Sequence, residues 1–186
     1  MQWAGTLSGL QRTLKANGWR ESVSLDARTA LRWLAPDTML EELPLLPQVH
    51  DGRHEVLRMI FPLHTNQEGP RELVLRLWKS GVELDSGEKQ LWVGSVSFEK
   101  PGHFALVMIP VEDQRYEEAL SVLARSIKVT GLQIAQRVRN KDEIRTPWTG
   151  DVLLIGNPRL DRPQRSSLDK SPCDSATSVN INKLRC

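Results

Sequence analysis

Two arginines, two tryptophans and a histidine stand among aliphatic residues in the middle of the chain: Arg58, Arg76, Trp78, Trp92 and His103. Guanidinium groups suit phosphate or carboxylate bidentately, so these five are candidates for the lining of an anion-binding recess. A plainer reading competes with it and carries more weight. In that reading the arginines lie over aromatic rings or pair with Glu72 and Glu99 on a half-exposed sheet face, as long amphipathic side chains commonly do without binding anything. Gly94, in mid-strand, would let a ligand or backbone approach; it is better read as a bulge or as room for a neighbouring tryptophan.

Other chemistries find less support. "HDGRH" places His50, Asp51 and His54 within five residues, but metal ligands must converge in space, and this piece reads as a turn entering a strand. "HEVLR" opens like a zinc-protease helix, yet Arg58 stands where the second histidine belongs. Gly-rich phosphate loop, nucleophile elbow and Cys-His signatures are missing. Adjacent acids such as Glu41 with Glu42, or Glu117 with Glu118, read as solvated faces, because acid/base work needs burial and a charge partner. The residues therefore assign no catalytic group, no metal and no cofactor.

These side chains need elements to carry them. Segments 53–61, 71–79, 90–99 and 103–110 are rich in aliphatic and aromatic residues with Gly/Pro/Asn punctuation, which predicts a four-stranded meander with a tight turn at "KPGH", 100–103. Alternation puts Leu73, Leu75 and Leu77 on the core side, and Glu72, Val74, Arg76 and Trp78 on the other. Trp3, Leu7, Leu10 and Leu14 predict a helix over 3–17 closed by Gly18. Ala27, Leu31 and Leu34 predict a shorter one over 25–34, with Ser24 as a cap. Tyr116, Ala119, Leu120, Leu123, Ala124 and Ile127 trace one stripe of a third helix. Residues 132–138 and "DVLLIG" add two strands. The fold class is α+β: a mostly antiparallel sheet of about six strands with two or three helices on one side.

Composition sets the outer bounds. At 186 residues with 39% hydrophobic and 26% charged content, one soluble domain is expected over 1–156. Residues 157–186, rich in Pro, Ser and Asn, read as a disordered tail. The tail holds six Lys/Arg against three Asp, so the net +2 divides into +3 there and −1 elsewhere. A near-neutral body gives no case for nucleic acid, and core packing explains the tryptophans better than base stacking. Cys173 and Cys186 both fall in the tail, without zinc spacing. No apolar run reaches membrane-spanning length and no signal-peptide pattern opens the chain, so direct membrane insertion is not expected.

The order "GW" (18–19), "LPLLPQVHDGRHE" (43–55), "ELVLRLWKSG" (72–81), "LWVGSVSFEK" (91–100) and "IPVEDQRYEEAL" (109–120) resembles the LssY-like C-terminal domain family over about residues 1–156. The resemblance implies a domain appended to bacterial membrane proteins with lipid-phosphate-phosphatase or DedA-type regions, acting with such a partner in cis or in trans. It implies no catalytic residues. The phosphatase motifs themselves are missing: in "KPGH" Lys100 and Pro101 stand for the proline and serine, and "RP" at 162–163 has Ile155 in place of the lysine. The expectation is a non-enzymatic accessory domain, cytoplasmic or held at the inner membrane through its partner. The alternative is a stand-alone enzyme or sensor for a phosphorylated, lipid-derived small molecule at the Arg58/Arg76 face.

Overall fold

The computed structural model describes residues 1–35, 37–63, 69–83, 90–127, 132–136 and 151–156. The strands are β1 (Gln2–Ala4), β2 (Arg20–Glu21), β3 (Val49–His50), β4 (Arg53–His54), β5 (Leu57–Leu63), β6 (Arg71–Glu83), β7 (Gln90–Phe104), β8 (Val107–Asp113), β9 (Leu132–Gln136) and β10 (Asp151–Ile155). The α-helices are α1 (Leu7–Ala16) and α2 (Tyr116–Ser126), and 3-10 helices cover Thr29–Leu34 and Leu40–Glu42.

Eight strands form one sheet in the order β2-β5-β6-β7-β1-β10-β9, with β8 also on β7, and β3-β4 is a separate hairpin. The β5-β6-β7-β8 meander is present as predicted, but the sheet is larger than six strands and mixed, since β1 runs parallel to β10. Both α-helices cover one face. Leu10 and Leu14 of α1 and Ala119, Leu120 and Leu123 of α2 are buried against Leu73, Leu75, Leu77, Val96 and Phe98, a continuous apolar core of the kind that drives folding.

Three local expectations need correction. Trp3 is in a strand, opposite Trp92 and Ile155. The helix begins only after Thr6, whose hydroxyl accepts from the Gly9 N–H at 3.2 Å and so satisfies a helix-end donor. Residues 25–34 form no α-helix: Asp26 caps the amides of Arg28 and Thr29 at 2.8 Å, and the 3-10 helix that follows buries part of Trp33 while leaving Leu31 and Leu34 exposed.

"KPGH" does not turn. It continues β7, with Pro101 opposite Pro110, and the chain reverses at Ala105, whose φ is 52°. Gly102 serves packing here, because a Cβ on it would lie 2.1 Å from Val111 Cγ2. Pro110 lies on β8, which pairs only with β7 among the described strands, and edge strands are where prolines are tolerated.

Candidate functional site

Register stacks the second face of the sheet in rows. Arg58, Arg76 and Ser95 are cross-strand neighbours, as are Ile60, Val74 and Ser97, and then Pro62, Glu72, Glu99 and Glu112. Arg20, opposite Ile60, brings a further cation to this face from β2. The face is covered by an irregular strap, residues 37–47, whose Leu40, Leu43 and Leu45 are buried. Leu45 packs on Ile60 and Val74, while Leu40 and Leu43 pack with Met108 and Trp33. After the 3-10 turn Leu40–Glu42, prolines 44 and 47 keep the rest of the strap out of helix or strand.

Under that strap Arg58 and Arg76 lie directly opposite each other. Arg76 Nη2 donates to Glu99 Oε1 at 2.6 Å, and Nη1 donates to Glu55 Oε2 and to the Leu46 carbonyl at 3.2 Å each. Arg58 Nη1 donates to the Leu45 carbonyl at 2.8 Å and Nη2 is 2.6 Å from Glu55 Oε1. All four terminal guanidinium nitrogens are thus engaged by the protein itself. The Arg76, Glu55 and Glu99 side chains are 3%, 6% and 5% exposed, so the network is dry, and removing one member would strand the others. Burial lowers the Arg58 pKa against the pull of Glu55, but a guanidinium stays charged through such shifts. Burial likewise raises Glu99, opposed by Arg76.

The five residues singled out from sequence do not all meet. Trp78 shares the face of Arg58 and Arg76; it is buried, its indole N–H has no partner, and the His50 ring lies 5.4 Å from it. Trp92 is on the opposite, helix-covered face, donating to the Gly5 carbonyl at 2.8 Å and packing against the main core. His103 is exposed near the tip of the β7-β8 hairpin, beside an open recess lined with Trp33, Leu34, Leu106 and Met108.

Glu99 pairs with Arg76, as the plainer reading has it, whereas Glu72 pairs with neither arginine and the face is buried, not half-exposed. The guanidinium groups that do sit over a ring are those of Arg71 and Arg115, 4.5 Å and 5.6 Å from the Phe98 centroid. Gly94 allows a close backbone approach and makes room for Leu77 and Met1, not for a tryptophan: a Cβ there would be 2.7 Å from the Arg76 carbonyl oxygen, 2.8 Å from Leu77 Cδ2 and 3.1 Å from Met1 Cγ. Glu55 escaped the sequence reading. Its signal was the i, i+3 spacing to Arg58 just before β5.

"HDGRH" is the β3-β4 hairpin, turned by positive φ at Asp51 and Gly52, with both histidines exposed. Among the described residues no three His, Cys, Asp or Glu converge as a metal would require. Likewise no described helix is long and apolar enough to cross a membrane. The predicted tail, 157–186, with its two cysteines, lies outside the described residues.

A family model, LssY C-terminus, matches residues 1–153. The chain belongs to the LssY C-terminus family. No curated protein and no solved structure gives a significant match. The matched span takes in every described strand but the last two residues of β10, so this LssY C-terminal domain contains both the strap and the ionic network beneath it.

Proposed function

We propose that this LssY C-terminal domain is a non-enzymatic accessory or interaction domain, working beside or joined to a membrane phosphatase-like or DedA-type protein. The observation that carries the proposal is the occupancy of the arginines. Their terminal nitrogens are spent on Glu55, Glu99 and the strap carbonyls, so a phosphorylated ligand would have to displace buried carboxylates or the strap to reach them. The exposed large apolar side chains offer contact instead. Leu106 (87% exposed) and Phe104 at the β7-β8 tip stand near the half of the 3-10 helix that exposes Leu31 and Leu34, and exposed apolar clusters of this kind mark contact surfaces.

Fractionation of the source cells, with an antibody against residues 1–156, tests the proposal. A detergent-released membrane band well above 21.1 kDa, or recovery with a membrane partner, is the expected result. A free band near 21.1 kDa that binds phosphorylated compounds saturably would replace it with the sensor or enzyme reading.

A further inference from the structure

Glu72 is a deeply buried carboxylate of the second face with no ion-pair partner among the described residues. It is 1% exposed, it stands directly opposite Glu99 on β7, and its Oε2 has no hydrogen-bond partner. Glu99 in turn stands opposite Glu112 on β8, whose charge acts on the Tyr116 hydroxyl. From β2 comes Arg20, ion-paired with Glu41 of the strap, whose 3-10 turn packs on β6. Arg76, four residues along β6 and two rows away on this face, is already shared between Glu99 and Glu55. Among these described groups the cations are committed, and an ionised Glu72 would add a carboxylate beside Glu99 and Glu41, where like charges directly opposite are destabilising.

We propose that the strap is a proton-dependent latch: it seats over the sheet while the Glu72 carboxyl holds a proton and loosens when that carboxyl ionises against Glu99 and Glu41. Burial and the neighbouring Glu99 charge push the Glu72 pKa up to about 8, so the latch works at the alkaline edge of the physiological range.

The strap gives way rather than the strands because of how each is held. β5, β6 and β7 are joined by continuous ladders and backed by the main core. The strap hangs on the Leu45 and Leu46 carbonyls taken by Arg58 and Arg76, on the Pro44 carbonyl taken by Trp33 Nε1 at 3.1 Å, on the Glu42 carbonyl taken by Arg32 Nη1 at 2.9 Å, on the Arg20–Glu41 ion pair, and on three leucines, all of them side-chain contacts without a backbone ladder. Elements held by few bonds open first, and admitting water there solvates Glu72 without unzipping the sheet. Opening also frees the arginine donors that the strap carbonyls now occupy.

Hydrogen exchange of the whole chain at pH 7 and pH 9, corrected for the intrinsic pH dependence of exchange, tests the latch. In the wild type, protection of the strap amides, including Glu42 and Leu43, should fall about ten-fold relative to those of β6, one pK unit of coupling being a factor of ten. Glu72→Gln should keep strap protection at pH 9. Should that variant fail to fold, Glu41→Gln, which leaves Arg20 free to face Glu72, should shrink the loss several-fold. Strap protection that is independent of pH, or an equal loss in the folded variant, overturns the proposal.

Discussion

The two faces of this sheet are held by opposite physics. The helix-covered face is a single apolar cluster in which Leu73, Leu75, Leu77 and Phe98 are fully buried. The strap-covered face buries Glu72, Arg76 and Glu99 almost as deeply, between small patches of leucine. Hydrophobic packing is non-directional and tolerates substitution of similar volume, whereas a dry ionic network is stable only when every member is present. The first face therefore sets how stable the domain is, and the second sets how specifically the strap is seated.

Substitutions that strike one face at a time sharpen the contrast. The largest effect is expected from Phe98→Ala, which opens a cavity in the apolar cluster and should cost about 4 kcal/mol in urea denaturation. Arg76→Met, of similar volume, leaves Glu99 without its cation and Glu55 with only one; it should cost about 3 kcal/mol. Combining it with Glu99→Leu should recover much of that loss. If the double variant is as unstable as the single, charge pairing is not what holds the second face.

Next comes the pH dependence. Glu72 has its native pKa raised to about 8 from the ordinary carboxyl value of 4.5, so between those values the folded state keeps a proton that the unfolded state has released. Its contribution is fully present below the unfolded pKa and is lost as pH rises through the folded one. Through this group alone the wild type should lose on the order of 2 kcal/mol between pH 6 and pH 8. Glu72→Gln should abolish that decline, read as the shift in urea midpoint between the two pH values. Asp113, held low by Arg115, contributes the opposite slope at acid pH and leaves this window untouched. The smallest effect on stability belongs to Phe104→Ser with Leu106→Ser at the exposed tip, within about 0.5 kcal/mol. If the tip is the contact surface, the same pair should abolish co-recovery with the membrane partner.

The apolar face was the legible one. Alternation in "RELVLRLWK" placed Leu73, Leu75 and Leu77 inward, and the stripe from Tyr116 to Ile127 located α2, because burial on one side leaves a period in the sequence. β1 was missed for a physical reason: three residues are too short to show a period, and Trp3 happened to fall in phase with Leu7, Leu10 and Leu14. On the second face Arg76 and Glu99 looked like solvent-facing residues, since a charged residue usually is one. Their burial comes from the strap, more than 20 residues upstream of both, and long-range cover of that kind has no local signature. The sequence suggests a common face for Trp92 and Trp78, but pairing sends them to opposite faces, because only the register between β6 and β7 fixes which parity of one strand meets which of the other.

The pairing of β1 has a consequence for how the chain is made. Its first partner, Leu91–Val93 of β7, is about 90 residues downstream, and its second, Leu154–Ile155 of β10, about 150. On a ribosome adding roughly 5–20 residues per second, β1 would wait on the order of 10–30 s for its second neighbour. The meander from β5 to β8 closes through short connections in the meantime and offers β7 as a ready template. Within this domain β1 thus precedes both its partners and has its two edges filled only once β10 is made, and during that interval its free edge is open to pairing with the wrong strand.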